Sequence, residues 1–373
     1  PGCRVVSINW GPWDGGMVTP ALKREFERLG IGLIPLDVGA KCLLDELRVG
    51  EHASAEVIIG GSFPQAMPSG HSARPASAST STSSGNGQLT TVMERTLDLD
   101  SHPFLASHVI GGHPVLPVAM MIEWFAHAAM HGNPGLMFNG LDDLRVFRGV
   151  ILNNGPRQVR IAASPARREN DLYAVDIELH GHGDNGPEVL HARARVWLAD
   201  QLPKPPAYAF DAASYAQTYP RTVEAIYDDV LFHGPHFHAV EKILGHSPAG
   251  MAAEMKPAAT PGEWMNVPPR TSWIADPRIL DGALQLGVLW GFEHLGCVSL
   301  PSFGGRYRQY CRSFPSGNVR LAMEVREAGE HRISADIAVL DDGGRLLARL
   351  ENYQWTADSS LGVAFGHDAV VNT

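Results

Sequence analysis

Val118-Ala-Met-Met-Ile-Glu-Trp-Phe-Ala-His-Ala-Ala-Met130 and Pro277-Arg-Ile-Leu-Asp-Gly-Ala-Leu-Gln-Leu-Gly-Val-Leu-Trp-Gly-Phe-Glu-His294 decide the fold. The first is apolar on nearly every side of a helical wheel, and such a helix is buried all round. The second follows Asp276-Pro277, an N-cap and a first-turn proline, and is almost as apolar. Around the first helix, β-patterned segments fall at 90–98, 104–110, 136–151, 157–164, 170–180 and 188–199. Around the second they fall at 250–256, 306–313, 319–327, 331–340 and 345–357. One buried helix per antiparallel sheet, twice over, predicts an α+β fold of two similar halves, 89–202 and 203–358, followed by a tail at 359–373. Pro203 to Ala209 is the connector.

Upstream the pattern differs. Residues 4–9 read as an apolar strand broken by Gly11, Pro12, Gly15 and Gly16. Thr19-Pro20 opens a helix to about Leu29, a second helix spans about 37–49, and 55–59 is a short strand. Residues 1–62 thus read as the tail of an α/β domain, and a strand with so little before it is expected to sit inside a larger polypeptide. Residues 63–88 are Ser-, Pro-, Ala- and Gly-rich and cannot bury enough surface to offset their ordering entropy, so a flexible linker is expected.

A length of 373 residues predicts two or three folded units. A hydrophobic fraction of 44% with 19% charged residues fits a soluble globular protein. The net charge of -10 argues against general nucleic-acid binding. The apolar runs Val115–Ile122 and Leu286–Trp290 are too short to span a bilayer, and no export segment is visible. Cys3, Cys42, Cys297 and Cys311 have neither metal-ligand spacing nor the density of a disulfide framework, so reduced thiols, no metal and a cytoplasmic setting are expected.

Chemistry concentrates in two places. In His108-Val-Ile-Gly-Gly-His-Pro-Val-Leu-Pro117, a histidine ends an apolar strand candidate, Gly111 and Gly112 let backbone approach a ligand, and a helix starts beside Pro117. A thioester carbonyl polarised there would acquire an acidic α-hydrogen, which a neutral imidazole could remove. The bland alternative is a histidine capping a loop. Asp281 lies well inside the second helix among Ile279, Leu280 and Leu284, where burial is expected to raise its pKa and keep it protonated as a donor. Gln285, one turn on, could orient it; the bland alternative is an aspartate at the rim facing water.

His108xxxGly112xxxxPro117, Leu231-Phe-His-Gly-Pro-His-Phe237, Asp281xxxGln285 and Leu300-Pro301 resemble, in that order, the signature of polyketide synthase dehydratase domains over about residues 90–357. The resemblance implies a double hotdog, with two sheets each wrapped round a helix and one site between them. It implies His108 as base, Asp281 as acid and the Gly112 N–H on the thioester oxygen, with Pro117, Gly234, Pro235, Phe237 and Gln285 as further substrate-binding positions. The implied reaction turns a 3-hydroxyacyl thioester into the 2-enoyl thioester and water. It implies no cofactor of the protein's own, with the acyl chain arriving on the phosphopantetheine of an acyl carrier protein. Other synthase domains and a second copy in a homodimer are the remaining implied partners. Two departures stand out: His233 replaces the tyrosine often found there, and Leu300-Pro301 continues Ser-Phe-Gly-Gly305.

Ile8-Asn-Trp-Gly-Pro-Trp-Asp14 resembles the end of a polyketide ketoreductase, which implies a Rossmann-like fragment without its nucleotide fingerprint. A ketoreductase running straight into a dehydratase is similar to polyunsaturated fatty acid synthases and enediyne-type iterative synthases. Rival readings are a product-template cyclase, which also uses a His/Asp pair, and a non-catalytic docking domain. His180-Gly-His-Gly-Asp184 reads as a turn, His113 and His236 as pocket or loop residues, and Arg306, Arg308 and Arg312 as one strand face that could dock an acidic carrier.

Overall fold

The computed structural model describes residues 7–10, 12–14, 23, 33–48, 56–59, 89–153, 155–182, 188–357 and 361–365. It divides into two units, 1–83 and 84–373. In the smaller unit, β1 (Ser7–Trp10) pairs in parallel with β2 (Glu56–Ile59), and α1 (Leu36–Arg48) lies in the intervening chain. A parallel pair requires such a crossover. The helix expected from Thr19 to Leu29 and the linker at 63–88 lie outside the described residues, apart from Lys23, whose Nζ is 2.7 Å from Asp14 Oδ2.

The larger unit opens with β3 (Thr90–Leu97), a 3-10 turn at Pro103–Ser107, and a small hairpin of β4 (Val109–Ile110) and β5 (His113–Pro114). Then come α2 (Val118–His131), β6 (Met137–Val146), β7 (Arg157–Ala163), β8 (Arg167–Glu169), β9 (Leu172–His182) and β10 (Glu188–Ala199). The second half contains α3 (Val223–Asp229), a 3-10 turn at Pro235–Phe237, β11 (Val240–Ser247), β12 (Gly250–Met255), α4 (Pro261–Trp264) and α5 (Pro277–Leu295). It closes with β13 (Ser299–Gln309), β14 (Val319–Gly329), β15 (Arg332–Leu340), β16 (Leu346–Ala357) and the short α6 (Leu361–Ala364).

Each half lays one buried helix against its strands, the hotdog arrangement. α2 packs on β3, β6, β7, β9 and β10, α5 packs on β12 to β16, and the two helices touch each other. The two sheets expected from the sequence are, however, one. The order β11-β12-β14-β15-β16-β13-β6-β10-β9-β7-β3 is continuous and antiparallel, because β13 pairs with β6 at Tyr307↔Leu141 and Arg308↔Gly140. Gly140 makes that seam possible: its φ is 142°, and a Cβ there would lie 1.9 Å from the Tyr307 carbonyl oxygen. Gly287 serves the same purpose between α5 and its strands, where a Cβ would lie 2.2 Å from the Trp355 ring. Burial explains why both helices hold. Trp124, Phe125, Leu286 and Leu289 are fully buried, and each such side chain contributes about 1.5–3 kcal/mol relative to exposure. Glu123, 2% exposed, accepts from the Ile274 and Ala275 N–H groups at 3.0 and 2.6 Å and ties α2 to the chain entering α5. Burial pushes its carboxyl up to about 8.

Several boundaries differ from expectation. The strand predicted at 104–110 is mostly the 3-10 turn, since Pro103 starts it and offers no N–H for pairing. The strand predicted to reach 151 stops at Val146. β13 begins seven residues before the predicted 306, with Pro301 accommodated at a register shift. His180 and His182, read as a turn, are on β9, where His180 Nε2 is 2.7 Å from Glu178 Oε2. Among the described residues no helix is long and apolar enough to cross a membrane.

Candidate active site

His108 is held by the backbone on both sides. Its N–H caps the 3-10 turn by donating to Leu105, and its carbonyl accepts the Val115 N–H at 2.9 Å. The β4–β5 loop is Gly111-Gly112, with φ of 60° and 79°, the two left-handed residues that a tight primed hairpin turn requires. Folding the hairpin back brings the Val115 carbonyl to 2.8 Å from His108 Nδ1. A carbonyl can only accept, so Nδ1 carries the hydrogen and Nε2 is left with its lone pair. Burial drives the imidazole down to about 4, against the opposing pull of Asp281. His108 is therefore a neutral ring at physiological pH.

Asp281 sits in the second turn of α5 and is 3% exposed. Its Oδ2 accepts from Gln285 Nε2 at 2.8 Å and lies 3.2 Å from His233 Nε2, which leaves Oδ1 for a ligand. Gln285 is itself fixed. Its Nε2 also donates to the Phe237 carbonyl at 2.8 Å, and its Oε1 accepts from the Tyr227 hydroxyl at 3.0 Å. The Tyr227 oxygen accepts in turn from the Val240 N–H at 2.9 Å. The protonated Asp281 expected from burial is not what this setting produces. Burial does push the carboxyl up, but the His233 imidazole beside it, with His108 and Gln285, brings it below the usual carboxylate range.

These groups face a cavity of about 200 Å³ whose other walls are mainly apolar, among them Ile110, Leu116, Met121, Val288, Leu300 and Pro301. One nitrogen or oxygen from each of His108, His233 and Asp281 lies within 4.8 Å of the others, and this set has the donor chemistry to hold a metal ion.

Of the positions singled out in the sequence, His108, Asp281 and Gln285 meet in the cavity, together with Leu300 and Pro301. The others surround or support it. Gly112 is at the exposed tip of the hairpin and is not in the cavity wall. The Val118 and Ala119 N–H groups, which precede the bonds that Met120 and Met121 make to the Pro117 carbonyl, are nearer, since Val118 lines the space and Pro117 is the N-cap. Gly234, Pro235 and Phe237 form a splice between the two halves. The Gly234 N–H donates to Ser107 at 2.8 Å, a Cβ on Gly234 would meet Ser107 Cα at 2.9 Å, and His108 bridges His233 as an isolated antiparallel pair. Phe237 is fully buried against Phe104 and Trp264. His236 Nδ1 is 3.0 Å from Ser107 Oγ, and His113 is exposed. Arg308 is held by both oxygens of Asp142 at 2.6 and 2.9 Å, and Arg306 is near Asp142 and Glu351, so that face is neutralised by carboxylates.

Sequence reading missed Tyr227, whose role depends on partners 13 and 58 residues away and leaves no local signal. It also missed the C-terminal segment: the Ala364 carbonyl accepts the Gly111 N–H at 2.6 Å, and Phe365 packs edge-on against Phe232 at 4.6 Å.

The chain can now be set beside known proteins. A family model described as polyketide synthase dehydratase domain matches residues 78–178, and one described as polyketide synthase dehydratase N-terminal domain matches residues 207–363. The chain is 30% identical over 334 residues to a polyunsaturated fatty acid synthase subunit of Thraustochytrium sp., an alignment that covers 88% of this chain and 11% of that protein. In fold it is similar to a trans-AT polyketide synthase dehydratase domain from Brevibacillus brevis, with a TM-score of 0.57, 19% identity, and coverage of 71% of this chain and 93% of that one. It is also similar to the dehydratase domain of RzxB from Pseudomonas fluorescens, with a TM-score of 0.54, 18% identity, and coverage of 70% and 93%. The matched segments contain both His108 and Asp281, and the chain belongs to the polyketide synthase dehydratase family.

Proposed function

We propose that this chain removes water from 3-hydroxyacyl thioesters carried on the phosphopantetheine of an acyl carrier protein, within an iterative polyketide or polyunsaturated fatty acid synthase. The observation that carries the proposal is the meeting of a neutral, tautomer-fixed imidazole and a carboxylate from opposite halves in one largely apolar cavity. His108 Nε2 takes the α-hydrogen, Asp281 Oδ1 faces the departing β-hydroxyl, and the aliphatic walls hold the acyl chain. The thioester oxygen is assigned to the N–H groups at the start of α2, with Gly112 shaping the hairpin that carries His108. The joined halves are a double hotdog in this reading, and residues 1–62 are the Rossmann-like tail of a ketoreductase. A cavity of about 200 Å³ with mainly apolar walls suits an acyl chain better than the folded, oxygen-rich poly-β-ketone of a cyclase.

The test is incubation with a 3-hydroxyacyl carrier thioester, with loss of one water followed by mass spectrometry. The parent should yield enoyl product, and His108→Phe should lose it by at least about 10²–10⁴-fold while keeping its melting curve. Unchanged turnover in His108→Phe would remove the base from the scheme, and binding without turnover in the parent would favour a docking role.

A further inference from the structure

The hairpin that follows His108 and folds back to hold its ring is a very small element. It pairs only Val109 with Pro114 and Ile110 with His113, and Pro114 has no N–H to give to the ladder. A two-stranded hairpin is marginal in water by itself, so its position depends on what surrounds it. The returning chain is anchored nearby: the Pro114 carbonyl accepts the Leu152 N–H at 2.9 Å, and the Leu116 N–H donates to Val150 at 3.0 Å. The tip is held from the far end of the chain. The Gly111 N–H donates to the Ala364 carbonyl at 2.6 Å. One residue on, Phe365 is 5% exposed and meets the Phe232 ring edge-on at 4.6 Å. Phe232 lines the cavity, stacks on His233 at 4.0 Å and meets the His108 ring edge-on at 4.9 Å.

We propose, building on the dehydratase reading, that Phe365 is a positioning residue for His108 and that the segment 361–365 is a strap completing the active site on the side of the base. The bond from His108 Nδ1 to the Val115 carbonyl orients the ring but travels with the hairpin, because Val115 is part of the returning chain. The Ala364 carbonyl and the Phe232–Phe365 pair come from elsewhere, and they set where the hairpin stands. The strap is itself fixed at its start, where Leu361 packs on the core and its carbonyl accepts the Phe365 N–H at 2.9 Å. Its role is separable from folding. The last strand of the sheet ends at Ala357, and both central helices lie before it, so the strap adds no strand to the sheet. Its buried ring is placed against the aromatic neighbour of the base. Without that ring Phe232 has room to turn away, and the His108 ring and the cavity wall at Ile110 lose their backing.

The test uses the full chain and compares parent, Phe365→Ala and Phe365→Leu by two measurements that do not depend on each other. Single-turnover dehydration of a 3-hydroxyacyl carrier thioester reads the base. Hydrogen exchange of peptides spanning 109–116, followed by mass spectrometry, reads the hairpin. Phe365→Ala should lower kcat by about 10–100-fold with KM nearly held, the effect of a base displaced by about 1 Å, and its hairpin amides should exchange faster. Phe365→Leu keeps apolar bulk without the ring and should fall between the two on both readouts; if alanine prevents folding, leucine decides alone. Phe292→Ala is the control for a merely structural loss. It removes a half-buried ring about 16 Å along α5 from Asp281 and should leave kcat and hairpin exchange as in the parent. A folded Phe365→Ala protein with kcat within about threefold of the parent would overturn the inference, whatever its exchange. So would a fall in kcat that Phe292→Ala reproduces at an equal loss of Tm. If the parent forms no enoyl product, the dehydratase reading fails, and exchange still shows whether the strap holds the hairpin.

Discussion

Tyr227→Phe removes one oxygen and nothing else, and the structure says what that oxygen holds. It donates to Gln285 Oε1 at 3.0 Å and accepts from the Val240 N–H at 2.9 Å, in a side chain 9% exposed. Each buried group left unpaired costs about 1–3 kcal/mol. Deleting the hydroxyl also removes its own desolvation cost, so the net loss comes to about 2–4 kcal/mol. In a unit of this size that is a fall in Tm of roughly 5–10 °C. Activity should fall as well, because Gln285 then holds Asp281 Oδ2 without being braced on its far side. About tenfold in kcat, or ~1.4 kcal/mol, is expected with KM held. The assay pairs a thermal melt with single-turnover dehydration, and Tyr173→Phe is the control, since its hydroxyl reaches Asp200 at 3.3 Å on the surface. A Tyr227→Phe protein that melts and turns over like the parent would refute the strut.

Three further outcomes are expected. Burial depresses His102 and His108 to about 4, so the unfolded chain takes up protons that the folded one does not. Stability should be complete above about pH 6.5 and fall toward pH 4 by about 1.4 kcal/mol per pH unit for each. His102→Gln should flatten the urea-midpoint profile over that window, and an unchanged slope would count against it. Gly140→Ala should cost more than about 3 kcal/mol, because its Cβ would lie 1.9 Å from a carbonyl at the seam, whereas Gly262→Ala, with open space around it and no left-handed backbone, should cost far less in the same melt. Zn²⁺ should inhibit dehydration reversibly through His108, His233 and Asp281, with activity returning on chelation. Equal inhibition of His233→Phe would show that the ion acts elsewhere.

The two helices were legible because each is apolar all round, a pattern that needs no knowledge of its neighbours. His108 and Asp281 were legible because each sits in a local motif, one with glycines and a proline, the other with an amide one turn away. The seam was not, because alternation along β6 and β13 says which face is buried but not which strands lie side by side. The charge state of Asp281 was misread for a similar reason. Its own helix announces burial, but the imidazole that reverses the effect comes from 48 residues upstream in the chain. The Gly234-Pro235 segment was read as substrate-facing, and its chemistry as a tight turn is the same whether it meets a ligand or, as here, Ser107.

The closeness of the three polar groups has a stereochemical consequence. To take hydrogen and hydroxyl from opposite faces of a Cα–Cβ bond, base and acid must sandwich it, each about 3–3.5 Å away, and so stand on the order of 6–7 Å apart. Their nearest donor and acceptor atoms lie within 4.8 Å. In the dehydratase reading, hydrogen and hydroxyl are then both presented to one wall of the cavity, and a syn elimination is the expected course.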